Sequence, residues 1–566
     1  MNFSAKHLLT VLAFCTSVSL YSQSIPDSIV RKIDSIYKNL DTQNTPGFDV
    51  GIVMGDQLVF AKGYGLANLE YGLPNTPATI FHMASVSKQF AAWSIVLLAR
   101  QGKLSLDDNI RKYLPWFKAG KSTITIRHLL NHTSGIRDQW ELLSIAGTRL
   151  QDVITQEHIV KVLSRQQDLN FAPGEKYTYS NSGYTMLAEI VKAVTHQTLR
   201  QFTDSAIFKP LGMNATHFHD DCTEIEKNRS YSYERANNNA PFTNSILSYS
   251  NAGATSLFTN VNDMSQWVKN FYNHKVGDAQ DIATLTTKGK LNSGKEISYA
   301  CGIVVQSFMG WKEYIHDGSD AGYRTCVAVF PDLKMGFIVF SNLAHTNPSE
   351  KVHAMARLFM RDTTTRKEDT RSLPQDSISA VFKDTAALKP LLGDYISDEG
   401  LAVNVNIIRN KLYYHIFDES NFLLREGKDS FYIGIAPAVK FLFSSNKNGR
   451  PTLKIINGTQ TYDLIRYKRD TAASVTLLKP YVGHYYCPEL DCSYDIELRG
   501  LQLYLTNAKY DDVKITLYGS EQLSTEYWWM SHLKILRNTA HQIAGFEVNT
   551  GRVSHLKFIK TKREGM

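Results

Sequence analysis

The sequence predicts an α+β domain followed by two antiparallel β modules. Three patterns carry that reading: a hairpin-like pair of β-runs near the N-terminus, helical patterns through the middle, and a β-meander before about residue 342. Beyond that point the chain is nearly all β in character and repeats itself. At 566 residues, with 43% hydrophobic and 20% charged residues, the chain is soluble in character and too long for one core. Its formal net charge of +8 is spread along the chain with no basic block, which disfavours nucleic acid as a partner.

Taken in order, residues 1–22 read as a signal peptide. Lys6 and His7 precede an apolar run from Leu8 to Phe14, and small and polar residues follow from Cys15 to Ser22. The expected location is therefore exported, periplasmic or secreted. Cys15 is a poor lipidation site, because bulky Phe14 stands before it. No later stretch has the roughly 18 consecutive apolar residues of a membrane span. The domain expected over 23–362 opens with a hairpin at Phe48 to Glu70, turned at Gly55-Asp56. A buried helix spans Ser87 to Gln101, with Gly102 just past its end. Further helices are expected at Ile126 to Asn131, Gln156 to Leu163, Ser182 to Thr195 and Val261 to Asn273. Four β-runs between Tyr299 and Asn342 then return to the same sheet. Residues 363–385 read as a polar linker. The modules are expected over 386–475 and 476–566, because Leu388-Lys-Pro-Leu-Leu-Gly-Asp-Tyr395 recurs about 90 residues later as Leu478-Lys-Pro-Tyr-Val-Gly-His-Tyr485. Removing the signal leaves five cysteines, an odd number. Cys487 and Cys492 suit either a hairpin disulfide or two buried thiols.

Candidate chemistry lies in three short stretches. The first is S-x-x-K, which recurs at Ser35, Ser85, Ser444, Ser531 and Ser554 and is therefore weak alone. Only Ser85 opens a buried helix, where one turn puts Lys88 on its face and free N–H groups await negative charge. A serine hydroxyl needs a base, and a lysine serves only when burial or nearby cations lower its pKa. The second stretch is Tyr179-Ser180-Asn181, in a Pro-Gly-led loop feeding a helix: Tyr179 suits a proton relay and Asn181 a substrate contact. The third is His316-Asp317-Gly318-Ser319 at the end of a β-run. There Gly318 lets the substrate backbone approach the strand, and the Ser319 N–H completes an oxyanion hole with that of Ser85. His128 and His132 lie one helical turn apart and read as structural. The dense His217, His219, Asp220, Asp221, Cys222 stretch reads as a solvated loop, so neither a metal nor a cofactor is expected.

Together these stretches resemble the serine β-lactamase and penicillin-binding-protein-like superfamily, in its class C-type branch with esterases and D-amino-acid peptidases. Their order matches, as do the flanks Tyr64 to Phe90, Ile124 to Ile136 and Ser248 to Met264. The resemblance implies an antiparallel sheet flanked by helices beside a helical lobe, with the site between them. It also implies an acyl-enzyme on Ser85, with Lys88 and Tyr179 sharing proton transfer and Asn181, His316, Gly318 and Ser319 binding substrate. An exported hydrolase of small esters, amides or D-amino-acid peptides is the expected activity. The alternatives are a β-lactamase or D-Ala-D-Ala carboxypeptidase, and a catalytically silent protein that binds or senses cell-wall fragments. His316 departs from the lysine usual in β-lactamases and transpeptidases, which argues against a carboxylate-bearing substrate. Small molecules or peptides are the expected partners; the oligomeric state and the role of the β modules stay open.

Overall fold

The computed structural model describes residues 25–562 except 238, 361–380, 383, 398–400, 417–418, 434–435, 458–459 and 469–473. The signal segment and most of the linker fall outside the described residues. No described helix is long and apolar enough to cross a membrane.

Hydrophobic alternation in the first β-runs produces strands β1 (Phe48–Met54) and β2 (Gln57–Tyr64), joined at Gly55-Asp56 as the turn chemistry demands. The meander supplies β3 (Val304–Phe308), β4 (Trp311–Asp320), β5 (Tyr323–Phe330) and β6 (Met335–Ser341). The sheet order is β3-β4-β5-β6-β1-β2, so both ends of the domain build one antiparallel sheet with the hairpin at its edge. The expected strand around Tyr299 to Gly302 is instead a loop, because Gly302 takes φ +73°.

Each face of the sheet buries one set of the alternating side chains. Val50, Ile52, Phe337 and Val339 pack with α1 (Asp27–Tyr37) and the helix Pro348–Phe359, neither of which the sequence patterns had marked. Val53, Val327, Ile338 and Phe340 face the helical side. There Gly336 lets helix Val261–Asn273 approach: a Cβ would meet Val268 Cγ1 at 2.2 Å. The helical lobe holds α2 (Lys88–Arg100), α3 (Ile126–Leu130), α4 (Gln139–Ile145), α5 (Gln156–Ser164) and α6 (Asn181–Thr195). α2 is buried on nearly every side, its wide apolar face joined by the buried polar residues Lys88, Gln89 and Ser94.

Both β modules are closed barrels of eight antiparallel strands, the first running from Gly393–Ser397 to Gln460–Tyr467 and the second from Gly483–Cys487 to Leu556–Thr561. The repeated octapeptide does the same work in each. Leu388 and Leu478 are buried, and the final tyrosine returns to cap the preceding turn, Tyr395 Oη donating to Leu391 O at 2.9 Å and Tyr485 Oη to Tyr481 O at 2.5 Å. Register sets Cys487 directly opposite Cys492, both as free thiols.

The barrels differ in how they attach. The first has a hydrophobic core of its own, whereas the second shares one continuous core with the helical lobe. Its hydroxyls also satisfy carbonyls at the end of α4: Tyr494 Oη donates to Ile145 O at 3.0 Å, and Tyr510 Oη to Ser144 O at 2.9 Å. Beside them the buried Arg137 guanidinium pairs with Glu489 at 2.7 Å and donates to the Ser554 and His555 carbonyls.

Candidate active site

Ser85 sits on a 3-10 turn (Ala84–Ser87) that runs directly into α2. The turn is entered through Ala84 at φ +47°, a left-handed conformation unfavourable for a side-chain-bearing residue and held by its surroundings. Met83 N donates to Leu257 O and Ala84 N to His82 Nδ1. Strand β4 presses against this turn. A Cβ on Gly318 would meet Met83 O at 2.4 Å and Ala84 Cβ at 3.0 Å, so only glycine permits the approach. Gly318 thus admits the nucleophile's own turn against the strand. Strand β3 ends its pairing at Val304 opposite Ile315, which leaves the His316 to Asp320 edge of β4 uncovered by β3, with Ser319 on it. As the second residue of a helical turn, Ser85 has no acceptor for its N–H within that turn.

One turn on, the fully buried Lys88 directs Nζ at three oxygens: Ser85 Oγ at 3.0 Å, Asn181 Oδ1 at 2.8 Å and Ala254 O at 2.7 Å. Burial lowers its pKa to about 7, opposed by the Asp320 and Asp138 carboxylates and assisted by the Arg552 guanidinium. Two of its three partners are strict acceptors. A neutral amine therefore keeps its two N–H bonds on Asn181 and Ala254 and turns its lone pair to the Ser85 hydroxyl. Asn181, the first residue of α6, is itself fixed: its N and Nδ2 donate to Asp138 Oδ2 at 2.7 and 2.9 Å. Asn181 thus holds Lys88 and also lines the cleft.

The Tyr179 phenol neighbours Ser85, and Lys88 Nζ lies 4.9 Å from its ring centroid. Burial raises its phenol well above the usual range, although Ser85 and Arg552 act in the other direction, so it is protonated at neutral pH. His132 packs on its ring at 4.2 Å and accepts from Ser180 N. His128 accepts from Thr125 N in the capping box of α3.

His316 reaches the same cleft, but its ring is engaged. Nδ1 lies 2.6 Å from the Asp317 carbonyl, which can only accept, so Nδ1 carries the proton and Nε2 accepts from Tyr299 Oη at 2.9 Å. Burial and Lys88 lower its pKa to about 3, which keeps it neutral. Asp320, also in the cleft, accepts from Thr255 Oγ1, and burial raises its carboxyl to about 6. Residues of all three predicted stretches line one cleft of about 1600 Å³. So do Tyr462 from the first barrel and Arg552 from the second, which no local motif marked. Elsewhere, His217, His219 and Glu224 bring potential ligand atoms within 4.8 Å of one another; there Arg200 holds Glu224 through both carboxylate oxygens, at 2.6 and 2.9 Å.

A serine on a strained turn, a buried low-pKa lysine and a cleft between sheet and helical lobe define a serine hydrolase. The chain belongs to the beta-lactamase family, whose model matches residues 33–360. Penicillin-binding protein 4* of Bacillus subtilis (strain 168) is 23% identical over 77% of this chain and 99% of its own length. D-aminopeptidase of Brucella anthropi is 24% identical, covering 86% of each. Among solved structures, the octameric penicillin-binding protein homologue from Pyrococcus abyssi has a TM-score of 0.53 at 22% identity, over 78% of this chain and 99% of that one. EstCE1, a hydrolase with promiscuous acyltransferase activity, scores 0.51 at 19% identity, over 59% and 99%.

Proposed function

We propose that this protein is an exported hydrolase that forms an acyl-enzyme on Ser85 and acts on amides or esters of small peptides, D-amino-acid peptides among them. The observation that carries this reading is the three-point seat of Lys88 Nζ, which leaves a neutral amine one orientation, lone pair toward Ser85 Oγ. Lys88 is the base: Ser85 Oγ attacks the carbonyl carbon as its proton moves to Nζ, and the oxyanion is received by the N–H groups of Ser85 and Ser319. Tyr179, held as the neutral phenol, passes a proton to the leaving group and is replenished from the Lys88 ammonium. Water then attacks the acyl carbon and gives a proton to Lys88, which passes it to Ser85 Oγ as the C–Oγ bond breaks and the acid is released.

The cleft exceeds the roughly 300–1,000 Å³ of ordinary small-molecule sites, which favours a substrate of several residues. Similarity to a D-aminopeptidase and to a penicillin-binding protein supports peptides containing D-amino acids. A fluorescent fluorophosphonate tests the nucleophile: labelling of the wild type and none of Ser85→Ala is expected. Undiminished labelling of the variant contradicts the assignment.

A further inference from the structure

The cleft contains a cation that the three motifs do not provide. His316 is neutral with both ring nitrogens engaged, and Lys88 is directed at three protein oxygens. Arg552, from the loop between the last two strands of the second barrel, stands with its guanidinium 5.1 Å from the centroid of the Tyr179 ring, in the cleft that Ser85 also lines.

The catalytic domain fixes this loop residue by both of its peptide groups. Arg552 N donates to Glu141 Oε2 at 2.9 Å, while Arg552 O accepts from Asp138 N at 3.1 Å and Asn170 Nδ2 at 2.8 Å. Thr550 Oγ1 donates to the same Glu141 oxygen, and Ser554 N to Asn170 Oδ1 at 2.8 Å. The backbone is therefore a fixture of the site. Its side chain is flanked by protein yet keeps surface open to the cleft, and among the described residues the guanidinium has no hydrogen-bond partner. The two carboxylates nearby are engaged elsewhere: Asp138 accepts from Trp140 N and twice from Asn181, and Glu141 from Thr550 and Arg552 N.

We propose that Arg552 is a substrate-anion subsite of the catalytic cleft, receiving a carboxylate carried close to the scissile bond. The guanidinium presents parallel N–H donors that match a carboxylate bidentately and stays charged at every working pH. The second barrel is on this view part of the substrate-binding surface, and an acidic or free-carboxylate peptide is the class of substrate it selects. The expectation that neutral His316 argues against a carboxylate-bearing substrate is thereby reversed, because Arg552 brings a positive charge beside Tyr179 from another domain. The inference rests on the hydrolase reading above.

The test compares two ester pairs that differ only in charge: 4-nitrophenyl hemiglutarate against 4-nitrophenyl butyrate, with the carboxylate on the acyl side, and 3-carboxyphenyl butyrate against phenyl butyrate, with it on the leaving group. Arg552→Ala is expected to lower the charged-to-neutral ratio of kcat/KM at least tenfold in one pair, chiefly through KM. Arg552→Lys should keep part of the ratio, and added salt should lower it in the wild type. Arg552→Gln replaces the alanine variant if that one fails to fold. Unmoved ratios in both pairs overturn the subsite, as does an equal loss of charged and neutral esters in the Ala and Lys variants, the mark of a loop that only holds the barrel. Failure of the wild type to turn over any of the four esters contradicts the hydrolase reading itself.

Discussion

Replacing Lys88 by methionine removes the amine while nearly conserving side-chain volume in a fully buried position. An ordinary lysine near pKa 10.5 is neutral about once in ~3,000 molecules at pH 7, whereas one lowered to about 7 is neutral about half the time, a gain of ~10³ in available base. Loss of a general base costs ~10²–10⁴ in rate. Lys88→Met should therefore lower kcat/KM for 4-nitrophenyl butyrate by at least about 10²-fold at pH 8–9, where the wild-type amine is free, and by less toward pH 5. In the wild type, kcat/KM should rise through an acidic limb near pH 7 as the amine is freed. The neighbours give that limb a sign. Asp320→Asn removes a carboxylate that raises the Lys88 pKa and should move the limb to lower pH; Arg552→Ala removes a cation that lowers it and should move the limb to higher pH. Stability gives a second readout. The folded pKa lies below the unfolded one, so between about pH 7 and 10.5 the unfolded chain binds more protons and wild-type stability rises with pH relative to Lys88→Met. Below pH 7 the difference should level off. A variant with wild-type kcat/KM, or a limb that ignores both neighbours, refutes Lys88 as the base.

Three further outcomes follow from the same geometry. Gly318→Ala drives a Cβ into Met83 O and Ala84 Cβ; it should cost about 1–3 kcal/mol in thermal unfolding and, by displacing Ser85, reduce kcat by up to ~10²-fold. Tyr179→Phe keeps the ring on His132 but removes the proton carrier, and kcat should fall by ~10²–10⁴ with Tm little changed. Glu489→Ala strands the buried Arg137; an unfolding free energy lower by about 3 kcal/mol is expected, near the low end for a broken buried pair because Gln166 and two barrel carbonyls still hold the guanidinium.

What the sequence revealed follows from where each contact is written. Ser85 and Lys88 meet through one helical turn, and Asn181 opens a helix whose pattern is plain, so local spacing exposes them. The octapeptide repeat exposed the two β modules because the buried leucine and capping tyrosine recur in both. Asp138, Asp320 and Arg552 left no local trace. They reach Lys88 from three distant stretches, and only tertiary packing makes them neighbours. Helix α4, seven residues long, is too short for apolar periodicity to mark, yet it is the platform on which the second barrel docks. The partners of Asn181 and His316 were hidden for a related reason: a motif names the residue, while only tertiary packing sets which protein atoms its polar groups meet.

Acid quenching during turnover of 4-nitrophenyl butyrate, followed by peptide mass spectrometry, interrogates the nucleophile with its acyl group in place. A butyryl group on the peptide containing Ser85, absent from Ser85→Ala and accumulating in Tyr179→Phe if water attack slows more than acylation, is the predicted result. Full turnover with acyl transfer to another side chain, or undiminished turnover by Ser85→Ala, contradicts the account.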